Sequence, residues 1–291
     1  MKRLTIFTPT YNRAYILPKL YESLCEQTCQ DFEWLIVDDG STDHTKELIE
    51  GWRQEEKVNL IYIYQDNSGK MMAHNRAVQA SKTEFFMCVD SDDHLCSAQV
   101  IGDVISFWDN YSKNLNDDIC GIIAFKEIGK KRMAFPEGMK IAHLSELSDK
   151  GFKGEAALVF RRDVLEQYPF PFFIGEKFVT DVFIYDQIDQ NYKFLLFPYY
   201  VQHCDYHEDG YSHNYMKLLF DNPKGFRAYH NQCVSFGKKG YLKSAICYIA
   251  LSLRIGDRGI LRHAANKTLT VLLFPLGALK YIYDNYRLSH I

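Results

Sequence analysis

Apolar and polar positions along the first hundred residues switch between two periods. "RLTIFT", 3–8, is a short β-branched and aromatic run ended by Pro9, the signature of a buried strand. Ile16, Leu17, Leu20 and Leu24 then recur at helical spacing, with Pro18 tolerable in a first turn. "FEWLIVDD", 32–39, predicts the second strand, followed by the helix "DHTKELIEGWRQ", with Ser41 or Thr42 as its cap and Asp43 near its positive end. "NLIYIYQ", 59–65, predicts a third strand before the helical "GKMMAHNRAVQAS", and "EFFMCVD", 84–90, a fourth before a helix near 97–109. Four β-α units with short loops imply right-handed crossovers and a parallel sheet covered by helices. Ligands of such sheets bind at the carboxyl ends of the strands.

Each predicted strand ends in polar residues: Thr8, Thr10 and Tyr11 after the first, Asp38 and Asp39 after the second, Asp66 and Asn67 after the third, Asp90, Asp92 and Asp93 after the fourth. Strand-end Asp and Asn residues commonly make turns and cap helices. Four such ends on one edge, carrying five or more acids, would repel one another without a cation, which favours a functional pocket.

Past residue 110 the alternation stops. "DDICGIIAFKEIG", 117–129, and "ALVFRRDVLEQY", 157–168, predict further strand and helix pieces. The aromatic stretch from Phe170 to Ser212 suits either a sugar cleft, where rings stack on pyranose C–H faces, or a Phe/Tyr-rich core.

Composition narrows the class. The chain has 291 residues, 47% hydrophobic and 24% charged, the profile of a soluble globular protein with ample core. Net charge is -3, yet residues 238–291 hold nine Lys/Arg against two Asp/Glu, a basic tail on an acidic body. Eight cysteines show no CxxC and no zinc spacing, which implies a reduced, cytoplasmic chain. The apolar run before Thr8-Pro9 is too short for a signal peptide, and none reaches the roughly 18 residues of a membrane span.

Asp-x-Asp at a strand mouth offers hard oxygen ligands to Mg²⁺ or Mn²⁺, with substrate phosphates completing the shell. A diphosphate bridged to such an ion becomes a better leaving group. Neither G-x-G-x-x-G nor G-x-x-x-x-G-K-[ST] occurs, so the dinucleotide and P-loop ways of holding phosphate are absent.

"FTPTYNR" (7–13), "VDDGSTD" (37–43), "NSGKMMAHNRAV" (67–78) and "VDSDD" (89–93), in this order and at these intervals, resemble the family 2 glycosyltransferases of the GT-A fold. "GEKFVTD" (175–181) is similar to the segment bearing the family's catalytic base, and "HEDGYS" (207–212) to the loop that follows it. The resemblance implies an α/β fold with a Rossmann-like, mostly parallel sheet and a helical C-terminal extension. The nucleotide-sugar half would span 1–125, the acceptor half 126–237 and the basic tail 238–291. It also implies inverting transfer of a hexose or N-acetylhexosamine from a nucleotide sugar, a UDP-sugar by preference, to a glycan or lipid-linked glycan, with Mn²⁺ or Mg²⁺ and without nucleic acid.

Carried onto this chain, the resemblance puts Tyr11 against uracil, with Thr8, Pro9 and Asn12 shaping its loop. Asp39 would accept the base N–H with Asp38 in support, and Lys70 would approach base or diphosphate. Asp90 would face ribose and metal, Asp92 would ligate the metal, and Asp93 would stand behind them. Asp181 matches the family's base, although Thr180 stands where the family commonly has Glu; Glu176 and Asp186 are the alternative bases, and Asp181 could instead cap the following helix. Glu176, His207 and Asp209 would serve the acceptor or a closing loop. Two other classes remain open: a metal-dependent nucleotidyltransferase and a non-catalytic sugar-nucleotide-binding subunit. In the tail, Arg254, Arg258 and Arg262 recur every four residues, which suits either the anionic inner face of a membrane or a helical pair packed on the body.

Overall fold

The computed structural model describes residues 2–111, 117–129, 132–152, 154–204 and 215–288. Strands and helices alternate at first: β1 (Leu4–Thr10), α1 (Leu17–Cys25), β2 (Phe32–Asp38), α2 (Thr45–Glu55), β3 (Leu60–Tyr64), α3 (Lys70–Ala80) and β4 (Phe85–Cys88). The short β5 (Asp93–Leu95), α4 (Val100–Tyr111) and β6 (Ile119–Glu127) come next. They are followed by β7 (Ile141–Ala142), α5 (Leu144–Asp149), β8 (Ala156–Arg161), α6 (Arg162–Leu165), α7 (Val182–Asp189) and β9 (Lys193–Cys204). Among the described residues five helices follow: α8 (Tyr215–Asp221), α9 (Pro223–Ser235), α10 (Tyr241–Arg254), α11 (Ile260–His263) and α12 (Lys267–Leu288).

Among the described residues nine strands form one sheet, in the order β3-β2-β1-β4-β8-β6-β9-β5 with β7 beside β9. β1 pairs in parallel with β2 and β4, and β2 with β3, so the carboxyl ends of these four strands share one edge. The parallel run stops at β8, which lies antiparallel to both β4 and β6. The sheet is therefore parallel through its four β-α strands and mixed beyond them.

Side chains alternate across the strands and both faces are covered. Trp34 lies under one face with Tyr21 and Trp52, whose rings stack at 4.3 Å. Phe7 stacks on Phe86 at 5.5 Å on the other face, with His74 of α3 set edge-on between Phe7, Phe86 and Phe170. His74 is buried there, and its Nδ1 has no hydrogen-bond partner among the described residues. Burial, with the charge of Lys70 adding, pushes its pKa down to about 3.

The chain divides into two compact units, residues 1–170 with 184–208, and residues 171–183 with 209–291. In the second unit, segment 171–183 is sewn to α9. Glu176 accepts the N–H groups of Lys224 and Gly225, both at 2.8 Å, at the helix's first turn. Asn222 returns the favour, its Oδ1 accepting from Lys177 and Phe178.

The three tail arginines do not share a helix. α10 ends at Arg254, Gly256 turns the backbone at φ +67°, Arg258 follows in the loop and Arg262 belongs to α11. Arg254 is spent inside the unit, donating to Asn285 at 2.7 Å and lying over the Phe220 ring.

Candidate active site at the strand ends

The loops after β1 and β2 are stitched to each other. Asn12, at φ +54°, accepts the Thr42 N–H at 2.8 Å and the Asp43 N–H at 3.3 Å on its Oδ1. Its own N–H donates to Ser41 Oγ at 2.8 Å. Asp43 reaches back to accept from Ala14 N–H, and Thr45 Oγ1 accepts from Arg13 N–H. Asp43 also takes the N–H and hydroxyl of Thr45, at 3.0 and 2.6 Å. Burial would raise its pKa, but these donors outweigh that and hold it below the usual carboxylate range. Neither Ser41 nor Thr42 caps α2: the helix starts at Thr45 with His44 at its N-cap position and no side-chain cap, and Asp43 accepts from the first helical N–H. The stitching leaves two rings outward: Tyr11 is half exposed between Thr10 and Asn12, and Tyr15 further along the loop is more exposed still.

Thr8 and Pro9 support this loop from within β1. Thr8 is buried and its hydroxyl accepts from the Trp34 indole at 3.0 Å, while Pro9 sits in register with Val37 of β2. Thr8 therefore reaches the loop through its backbone and packing.

Asp38 and Asp39 are wired into the loops as well. Asp38 accepts from Ser41 N–H and the Tyr62 hydroxyl, both at 2.8 Å. Asp39 accepts from Gln65 Nε2 at 2.7 Å and from the Ser68 and Gly69 N–H groups at 2.8 Å. A carboxylate has about four acceptor positions, so Asp39 keeps room for one further donor. Gly40 makes this closeness feasible, since a Cβ there would stand 3.0 Å from Asn67 N at φ +87°.

The aspartates after β4 are balanced by charge. Lys70, the first residue of α3, pairs with Asp90 at 2.7 Å, and Lys126 at the end of β6 lies 3.3 Å from Asp93. Burial would raise the Asp90 pKa, but Lys70 and Lys126 hold it below the ordinary value. Asp93, more deeply enclosed, is pushed up to about 6 by burial against the pull of Lys126. Lys126 is itself pushed upward, burial being outweighed by Asp93 and Asp90. The positive partner that the acidic run demands is thus partly within the chain. Lys126 was legible only as the lone cation closing the apolar run "GIIAF".

Asp92 is the exception. It is half-buried, forms no ion pair among the described residues, and has its pKa raised by burial and then by the charge of Asp90. Its carboxylate gains from any added cation, so hard oxygen donors at Asp92 and Asp90 fit a divalent ion. Among the described residues no group of three or more His, Cys, Asp or Glu is placed to hold a metal. Two carboxylates with the remaining positions left to a ligand agree with the usual habit of Mg²⁺.

The other expected residues lie apart in sequence and role. Asp181 immediately precedes α7 in the second unit's segment 171–183, half-buried. Glu176 has both oxygens on the first turn of α9, and Asp186 is buried on α7. His207 and Asp209 fall outside the described residues.

The family profile described as Glycosyl transferase family 2 matches residues 5–189, from β1 through α7. The chain belongs to that family. All four strand-end loops, both lysines and Asp181 lie inside the matched stretch of this family 2 chain. It is 39% identical over 98 residues to the teichoic acid poly(glycerol phosphate) polymerase of Staphylococcus epidermidis, a match covering 33% of this chain and 14% of the polymerase. It is 28% identical over 117 residues to the poly(ribitol-phosphate) beta-N-acetylglucosaminyltransferase TarS of Staphylococcus aureus, covering 40% of this chain and 20% of TarS. These matches thus take in well under two thirds of either relative.

Solved structures extend the likeness to nearly the whole family 2 chain. Residues 1–349 of S. aureus TarS in complex with UDP-GlcNAc superimpose with a TM-score of 0.62 at 17% identity, over 99% of this chain and 92% of that one. The mannosyltransferase PcManGT of Pyrobaculum calidifontis, with GDP-Man and Mn²⁺, gives 0.56 at 19% identity, over 99% and 82%. At such identities the likeness establishes the fold, which is of the GT-A type.

Proposed function

We propose that the chain is an inverting glycosyltransferase that moves a hexose or N-acetylhexosamine from a UDP-sugar to a hydroxyl of a cell-surface glycan. The observation that carries this reading is Asp92, a half-buried carboxylate without an ion pair beside a lysine-held Asp90, at the carboxyl edge of a family 2 sheet. Residues 1–125 would bind the donor and 126–237 the acceptor. The exposed Tyr11 ring offers a stacking face to uracil on a loop that Asn12 and Asp43 hold rigid. Asp39 has an acceptor position left for the base N–H, and Lys70 offers a point charge to the diphosphate.

Asp92 and Asp90 would hold Mn²⁺ or Mg²⁺, which when bound neutralises charge on the departing diphosphate. Asp181 would accept the proton of the attacking acceptor hydroxyl, opposite the leaving nucleotide. Glu176, committed to α9, is the weaker candidate for that step. UDP-GlcNAc is the first donor to try, since the TarS structure holds it.

Calorimetry with UDP, with and without Mn²⁺, tests the reading. Manganese should tighten UDP binding at least tenfold in the unaltered chain and leave Asp92→Asn unchanged. Asp181→Asn should bind UDP normally and lose sugar transfer. Equal UDP affinity with and without Mn²⁺, or pyrophosphate rather than nucleoside diphosphate as product, would overturn it.

A further inference from the structure

α12 is inside out. Its 22 residues run about 33 Å, and the stripe it buries is Thr270, Gly277 and Asp284, spaced by seven. The opposite face carries Val271, Leu272, Leu276, Leu279, Ile282 and Tyr283, with Leu272 71%, Leu279 61% and Ile282 62% exposed. An ordinary surface helix does the reverse. The reason is local: a Cβ at Gly277 would stand 2.4 Å from Ile249 Cγ2, so α10 and α12 meet at a glycine too close for larger groups. Asp284 is tolerated within the contact because Lys280, one turn back, pairs with it at 2.9 Å.

Along the chain from 258 to 288 the exposed charge has one sign. Arg258, Arg262, Lys267 and Arg287 are exposed, and none is in an ion pair among the described residues. Asp284 is the only acid from 258 to 288, and it is buried. The uncharged face from Val271 to Tyr286 spans nearly half the helix circumference, wider than the narrow seam of a two-helix coiled coil. Packing two copies face to face would set Lys267 against Lys267 or against Arg287, cation on cation in either direction. No helix among the described residues is long and apolar enough to cross a membrane.

We propose that α11 and α12 lie in the interfacial layer of an anionic lipid surface, with the Leu272–Leu279–Ile282 face among the acyl chains and the rim cations at the headgroups. Lipid covers a broad apolar band without needing a matching shape, and each cation near an anionic surface strengthens binding roughly fivefold. The surface belongs to α12 with its α11 rim, in place of the arginine row the sequence suggested.

The test is flotation of the full chain, without nucleotide, on vesicles of phosphatidylcholine alone and of 70% phosphatidylcholine with 30% phosphatidylglycerol. The chain should float with the anionic vesicles, at least tenfold less with the neutral ones, and progressively less as salt rises. Leu272→Glu with Leu279→Glu should abolish flotation while the melting temperature holds. If that double variant fails to fold, Leu279→Trp serves, with its added emission shifting to the blue on anionic vesicles alone. No flotation at low salt, an unshifted Leu279→Trp, undiminished flotation of a folded double variant, or a sedimenting dimer that the double variant splits would each overturn the proposal. A dimer would make a second copy the occupant.

Discussion

Two sets of aspartates occupy the same edge of the sheet and are held in different ways. Asp38, Asp39 and Asp43 accept hydrogen bonds from neutral donors: backbone N–H groups, an amide and hydroxyls. Asp90 and Asp93 are held by the charges of Lys70 and Lys126, and Asp92 has no ion pair among the described residues. Neutral donors fix direction and distance, so the first set builds loops. Point charges are less directional and can be shared with an incoming anion, so the second set keeps a charge balance that a ligand can alter.

The sharpest way to separate the two sets is to neutralise one member of each. Asp92→Asn should lower sugar transfer roughly a hundred- to a thousandfold, the scale of losing one electrostatic contact to the leaving group. Its urea midpoint should hold or rise, because a crowded, half-buried charge has been removed. A matching fall in stability would erase the distinction.

Asp39→Ala should do the opposite. Three N–H donors lose their acceptor, which costs about 3 kcal/mol, read from urea unfolding. The change should also disorder the start of α3, lowering amide-exchange protection at Ser68 and Gly69. An unchanged midpoint would show that the loops do not depend on Asp39, leaving it only the acceptor position offered to the base.

His74 supplies a third condition, a polar ring with neither neutral partner nor counter-charge among the described residues. Its pKa falls from the ordinary 6.5 to about 3 in the folded chain. Its contribution is therefore complete above pH 6.5 and is lost as pH falls toward 3, because the unfolded chain takes the proton first. Between pH 7 and 4.5 it should remove about 2–3 kcal/mol. His74→Leu should flatten that part of the stability–pH curve, and an equally steep variant would place the acid sensitivity elsewhere.

The smallest effect belongs to the stitching. Asn12→Ala should cost about 1–2 kcal/mol, from lost hydrogen bonds and an awkward left-handed backbone. It should weaken UDP binding severalfold by loosening the Tyr11 loop. Equal affinity would show that the ring needs no rigid mount.

Much of this arrangement is legible in the sequence. The periods at Leu4–Phe7, Phe32–Val37, Leu60–Tyr64 and Phe85–Cys88 locate four strands, and their polar ends identify one edge. What pattern cannot supply is partnership across long separations. Lys126 reaches Asp93 over 33 residues, and Gln65 reaches Asp39 over 26. Glu176 looks like an acid near the acceptor segment until Lys224 and Gly225 are folded onto it. The arginine spacing of four misleads because Gly256 ends the helical repeat between its members.

The hydrogen at Gly277 has a further consequence. Since Ile249 leaves no room there for even a methyl group, shape overrides greasiness in choosing which side of α12 turns inward. Alanine at that one position would take away the fit that seats the stripe of Thr270 and Asp284. Only the Arg254–Asn285 hydrogen bond and the Lys280–Asp284 pair would then hold that side inward, against a half-turn roll that hides the leucines.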